Sequence, residues 1–458
     1  MKPKDSFFKA VCALAIPVAL QSMLQSSFSM VDQIMIGQLG AVNVAGVGLA
    51  GKFASIYSVV ISAIGAVAGI MISQYLGQKN RCEVRRSFFA NLLLGAGIAG
   101  LFMVICTLFP DRIMGAYTRD AQTCQIAAEY LALISATFVP MAGATLLSTL
   151  LRCWEKPRLP LYASIAAALL NTSLNYILIF GKLGFAPMGV KGAAIATVLS
   201  QCVNFLLMLW MLPRKLLARN ENDPQRTVMV QFNWSQYLSM LLPLLVCEVM
   251  WSVGENVYAA IYGHVSTDAS AAMTLTNPIQ GIVIGALCGL SQAAGVIIGK
   301  RLGSGETEEA FLESKKLLVY GVAGSVVLSI AVILFSGIYV DIYHVDEAVK
   351  TMTQQLLFAY ALVSPFKVLN MILGGGILRS GGRTKYVMFI DVIGTWCLGV
   401  PLGLLGAFVL KLPVAWVYFF LSLEECVRFG ISMVVFRRKK WMHRLEADMQ
   451  CSFGTWDN

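Results

Sequence analysis

The feature that most constrains this chain is a series of hydrophobic stretches, each roughly 20 residues or longer, recurring from end to end. As a helix, such a stretch crosses about 30 Å of hydrocarbon, and a bilayer admits only segments that satisfy their own backbone hydrogen bonds. An all-α integral membrane fold follows. Of 458 residues, 57% are hydrophobic and 13% charged, about half the charge that a water-facing surface carries. Twelve transmembrane helices are expected, near residues 9–36, 48–76, 86–109, 123–151, 160–181, 189–212, 235–263, 273–299, 311–340, 347–378, 386–410 and 412–436. The first runs from about Ala10 to Ile36 with no small-residue cleavage site, so it reads as a spanning helix and not a removable signal.

The net charge of +10 raises the question of nucleic acid, and the placement of the charge answers it. Of 35 Lys and Arg residues, 26 fall in the N-terminus, the tail and the loops on one side, 7 fall on the other side, and Lys367 and Arg428 lie inside helices. This asymmetry puts both termini in the cytoplasm of a multi-pass plasma (inner) membrane protein and requires an even number of spans. No nucleic-acid partner is expected. The eleven cysteines are scattered without a C-x-x-C, and the three histidines sit in loops or the tail. No metal-ligand set assembles from them, no cofactor is expected, and no His or Cys–His pairing on a helix supports an enzyme.

The chain also repeats itself. A shift of 226 residues carries Pro17 to Pro243, Gly37 to Gly263, Leu76-Gly77 to Leu302-Gly303 and Asp120 to Asp346. Each half holds an even number of spans, so the halves enter the membrane in the same direction, a parallel repeat. The expected organisation is an N-lobe at 1–212, a cytoplasmic linker at 213–234, a C-lobe at 235–441 and a tail at 442–458, with six helices per lobe around a central cleft.

A charge at mid-bilayer costs about 2.5–3.5 kcal/mol on insertion scales, so each ionisable residue inside a span needs a reason. Glu248 and Glu255, two turns apart on the seventh helix with Trp251 between them, offer carboxylates to a cation and an aromatic surface to an organic ring. Lys367 on the tenth helix lies at similar depth; it either neutralises one of these acids or holds it until a substrate or ion displaces it. Asp32 lies at the depth of Asn171 and Asn175, which stand one turn apart on the fifth helix. Their amides either ligate a cation with Asp32 or form a polar seam between helices. Glu424 and Arg428, spaced i, i+4, are expected to satisfy each other, and Asp391 lies near the cytoplasmic end of its helix. Gly281, Gly285 and Gly289, with Gly374, Gly375 and Gly376, are expected to let helices approach closely.

In order along the chain come Ala15-Ile16-Pro17, Val31-Asp32, Gly37-Gln38-Leu39-Gly40, Gln74-Tyr75-Leu76-Gly77-Gln78, the fifth-helix run Asn171 to Gly181, Gly189-Val190-Lys191-Gly192 and Leu378-Arg379-Ser380-Gly381-Gly382-Arg383-Thr384. In that order they resemble the multidrug and toxic compound extrusion (MATE) family over almost the whole chain, to about residue 441. The resemblance implies a secondary antiporter that exports bulky, often cationic organic compounds against inward Na+ or H+. It places the family acids on Asp32 and Glu248 and the fifth-helix pair on Asn171 and Asn175. Some proton-coupled members carry aspartate where this chain has Asn175, and an amide does not bind and release a proton near neutral pH. Both Na+ and H+ therefore remain open, with Na+ at Asp32 or Glu248 as a transient metal. The expected partners are a small organic substrate and the lipid bilayer, with the chain acting as a monomer. A flippase for lipid-linked saccharides, on a related architecture, is the alternative.

Overall fold

The structure, a computed structural model, describes residues 3–213, 232–341, 343 and 345–446. Most of the linker and the tail from residue 447, with His344 and Cys451, lie outside the described residues. The described chain folds into long helices: α1 (Pro3–Gly37), α2 (Ala41–Gly77), α3 (Arg81–Leu108), α4 (Ala121–Cys153), α5 (Arg158–Phe180), α6 (Gly189–Met211), α7 (Trp234–Val265), α8 (Thr267–Ser304), α9 (Thr307–Asp341), α10 (Glu347–Leu378), α11 (Thr384–Val409) and α12 (Val414–Arg437). Each expected span lies largely within one of them. The ends are set by local chemistry. The Asn80 side chain accepts the Glu83 amide at the start of α3, and Asp120 accepts the Thr123 amide before α4. The side-chain and backbone bonds to Thr123 also hold the Asp120 carboxyl below its ordinary range. At the end of α5, Gly181 takes the left-handed conformation, φ 67°, which suits a residue without Cβ.

Among the described residues, eleven of these helices are long and apolar enough to span a membrane. The remaining one, α12, carries Glu424, Glu425 and Arg428 in its middle. Those charges meet partners from neighbouring helices, which is what allows an apolar segment to keep them.

The chain forms two compact units. One comprises the described residues of Leu20–Ile72 and Asn80–Asn233. Small residues bring its helices together, as expected where lipid removes the hydrophobic incentive to associate. A Cβ on Gly143 would overlap the Phe205 ring, and one on Gly192 would meet the Leu178 carbonyl. The Tyr57 hydroxyl donates to the Phe138 carbonyl (2.6 Å) while the two rings stack at 4.3 Å.

The other unit comprises the described residues of Met1–Ala19, Ser73–Lys79 and Trp234–Glu446. Here a Cβ on Gly289 would collide with the Ala15 carbonyl, and one on Gly376 would meet the Ser291 carbonyl. Close approach holds at these two positions. It does not hold at Gly281, where a Cβ would meet nothing within 4 Å. The ends of α2 and α8 cross as tightly as Gly289 does on Ala15. Gly77 packs on the backbone of Lys300, and Gly303 on the backbone of Gln74. Gly77 and Gly303 of the two Leu-Gly motifs correspond under the 226-residue shift, and so do Gln74 and Lys300, so the contact maps onto itself. Residues 441–446 belong to this unit as well: Trp441 is fully buried, and Gln74 binds the Ser380 carbonyl (2.7 Å) and the Leu445 amide (2.8 Å).

Candidate ion-coupling site

In the first unit, α1 delivers Asp32 and α5 delivers Asn171 and Asn175 to one point. The two asparagines are buried, at 7% and 1% exposure, because their i, i+4 spacing puts both on the face of α5 that meets α1 and α6. The Asn175 amide donates to Asp32 Oδ1 at 2.6 Å. With the Asn171 amide turned to match donors with acceptors, its Nδ2 donates to Asp32 at 2.8 and 3.1 Å and its Oδ1 accepts from Ser200 at 3.3 Å. Tyr130 lies within electrostatic range of the carboxylate. Among the described residues, no Lys or Arg ion pair neutralises Asp32. The carboxylate is oriented by neutral donors, and Asn175 Oδ1 is buried without a hydrogen-bond partner. Oxygen ligands around one half-buried, uncompensated acid suit a proton or a small hard cation.

In the second unit the charges are arranged differently from the sequence expectation. Glu248 faces Arg379, 3.3 Å away, and not Lys367. Arg379 directly follows α10, at a position read as a cytoplasmic loop end. Lys367 lies over the Tyr418 ring at 5.5 Å; Glu425, Glu255 and Glu424 are carboxylates within its electrostatic reach, and none is within 4 Å. Glu424 and Arg428 do not form the expected pair. The Tyr258 hydroxyl donates to Glu424 at 2.8 Å, whereas Arg428 pairs with Asp391 and, at 3.6 Å, with Glu425. The i, i+4 geometry lost to a carboxylate on the adjacent α11, because Asp391 is also desolvated and needs a counter-charge. Glu255 and Trp251 are exposed, Trp251 at 49%. Glu248 turns inward, so only Glu255 and Trp251 of the predicted face are open to a ligand.

A constellation that sequence reasoning missed appears in both units. In the first, Arg152 donates to Gln21 (3.0 Å) and Gln21 donates to Ser164 (2.8 Å). In the second, Arg379 donates to the Cys247 sulfur (3.7 Å) and the Cys247 thiol to Asp391 (2.7 Å). These three positions correspond at shifts of 226 or 227 residues. The signal was present as matched positions, but the side chains differ (Gln for Cys, Ser for Asp), so only geometry reveals them. Among the described residues, no group of three or more His, Cys, Asp or Glu forms a metal site.

Comparison with known proteins agrees with this architecture. The MatE family profile matches residues 17–177 and 243–405, two segments whose starts differ by the same 226 residues. A probable multidrug resistance protein NorM of Thermotoga maritima is 25% identical, with 88% of each chain covered. The multidrug resistance protein MdtK of Yersinia pseudotuberculosis is 24% identical over 95% of this chain and 96% of its own. A crystal structure of MATE in complex with MaL6 superposes with a TM-score of 0.85 at 17% identity, covering 94% of this chain and 97% of that one. The fold, the buried acids and the profile match lead to one assignment: this chain belongs to the multidrug and toxic compound extrusion family, a family of multi-pass membrane efflux transporters.

Proposed function

We propose that the protein is a secondary antiporter that exports organic, mostly cationic, compounds in exchange for Na+ or H+. The single observation that carries this reading is Asp32, a half-buried carboxylate in an apolar span held by two amides with no Lys or Arg ion pair among the described residues. Such a group binds a small cation readily and, once neutralised, loses its attraction for a cationic substrate. In this reading Asp32, Asn171, Asn175 and Glu248 handle the coupling ion, while Glu255, Trp251 and Lys367 line the substrate path. Glu248 has the more constrained part, since ion uptake there must compete with Arg379. The multidrug resistance names of the relatives support the substrate class. The flippase alternative has no observation in its favour.

The full reading has twelve spans in two parallel six-helix lobes, at 1–212 and 235–441, around a central cleft. Both termini are cytoplasmic in the inner membrane, and the chain acts as a monomer. Its support is the repeat shift, the matched constellations and the reciprocal Gly77 and Gly303 contacts. The test is efflux of a fluorescent organic cation from vesicles. Asp32→Asn is expected to lower gradient-driven efflux at least tenfold and Glu248→Gln to lower it measurably. Unchanged efflux in both variants overturns the reading.

A further inference from the structure

Where α7, α10, α11 and α12 of the second unit meet, four carboxylates at most partly exposed, Glu248, Asp391, Glu424 and Glu425, stand against three cations, Arg379, Arg428 and Lys367. Arg379 serves Glu248. Arg428 serves Asp391 first and Glu425 more loosely. Glu424, 5% exposed, has the Tyr258 hydroxyl as its hydrogen-bond donor and no Lys or Arg within 4 Å among the described residues. With every group ionised, four negative charges face three positive ones, so the cluster lacks one positive charge. The deficit falls on the adjacent acids Glu424 and Glu425, because the other carboxylates have closer partners.

Two further observations point to a ligand here. Asn370, 9% exposed, donates its amide to the Glu425 carboxylate and backbone carbonyl, both at 2.8 Å, and its Oδ1 has no hydrogen-bond partner. Ser422, 1% exposed and one turn before Glu425 on the same face of α12, also has no partner for its hydroxyl. Two buried neutral oxygens without hydrogen-bond partners, next to a cluster short of positive charge, are available to a cation. The backbone is shaped to the site as well. α11 adopts π-helical geometry over Ile393–Gly399, and α10 does so over Met371–Leu378, directly after Asn370; such segments are rare and concentrate at functional sites. A Cβ at Gly399 would overlap the Tyr258 hydroxyl and the Glu424 carboxylate, and one at Gly394 would overlap the Arg428 side chain.

We propose that Glu424 and Glu425 form a second monovalent-cation site, separate from Asp32 and Glu248, which takes up one H+ or Na+ with Asn370 and Ser422 as neutral oxygen ligands. The charged or titratable groups facing it are Tyr258, Tyr262 and Glu255 on α7, Lys367 on α10, Asp391 on α11, and Cys426 and Arg428 on α12. Of these, Lys367 is the cation free to move, since its ammonium rests on a ring and not on a carboxylate. A bound cation displaces it from the field of Glu425, and its departure restores that attraction.

The test measures binding and not transport, so its failure leaves the Asp32-based export reading intact. The purified full-length Asp32→Asn chain is titrated with NaCl at constant ionic strength, balanced with choline chloride, and separately with pH, while Tm is followed. A saturable rise in Tm in either titration is expected, and adding Glu424→Gln and Glu425→Gln is expected to abolish it. A response to Na+ at fixed pH identifies sodium; a response to pH alone identifies the proton. No response in the Asp32→Asn chain, or an unchanged one in the triple variant, overturns the proposal. Should the triple variant not fold, the unaltered chain is labelled with a hydrophobic carbodiimide and mapped by mass spectrometry. An adduct on Glu424 or Glu425 that declines with added Na+ or rising pH supports the site. Absence of that adduct, or its indifference to both conditions, overturns it.

Discussion

Asp32 is oriented by two amides, with no counter-charge paired to it among the described residues, while Glu248 shares its field with Arg379 at 3.3 Å. The two acids therefore respond differently to substitution. Asn175→Asp places a second carboxylate beside the first, and like charges that close favour a shared proton. Transport driven by a pH gradient is expected to rise relative to Na+-driven transport, measured in vesicles under each gradient alone. Arg428→Gln leaves the mostly sheltered Asp391 without its guanidinium, a change that costs up to about 3–5 kcal/mol, the figure for a fully buried pair. Thermal unfolding in detergent should show a clear loss for Arg428→Gln and partial recovery when Asp391→Asn is added. The Asp32 cluster was legible in the sequence because its members are polar residues at helical spacing in apolar runs, where few alternatives exist. The partners of Glu248 and Arg428 were not legible. Arg and Glu side chains are long, and which neighbouring helix they reach depends on packing that a one-dimensional pattern does not carry.

Most helices follow from apolar length: each expected segment has a helical counterpart, eleven of them among the described residues long and apolar enough to span a membrane, with ends shifted by a few residues at polar caps such as Asn80. What the pattern conceals is local backbone geometry. The π-helical turns in α10 and α11 occur in runs such as Met371-Ile372-Leu373-Gly374-Gly375-Gly376, where hydropathy is uniform and hydrogen-bond register leaves no trace. Glycines show the same limit. The Gly303 contact with the Gln74 backbone leaves no room for a methyl group, whereas Gly281 has open space. Gly303→Ala is expected to destabilise by about 1–3 kcal/mol through overpacking. Gly281→Ala should instead be neutral or stabilise by up to about 1 kcal/mol, as replacing a mid-helix glycine does. Denaturant or thermal melts of the two variants side by side check the contrast.

At the scale of the whole molecule, the duplicated pattern is the deepest information in the sequence. It appears in the 226-residue shift, in the two segments matched by the family profile, and in the Arg152–Gln21–Ser164 and Arg379–Cys247–Asp391 constellations. The charge asymmetry of the loops predicts that tags on both termini are digested by protease in inverted membrane vesicles and protected in right-side-out ones. The central claim is that sheltered acids exchange a small cation for an organic one. The direct measurement uses proteoliposomes of the purified chain loaded with a fluorescent organic cation, with Na+ and pH gradients imposed one at a time. Movement of the dye under at least one gradient, abolished by collapsing that gradient and reduced at least tenfold by Asp32→Asn, is the predicted result. Equal dye movement with every ionic gradient collapsed contradicts the account.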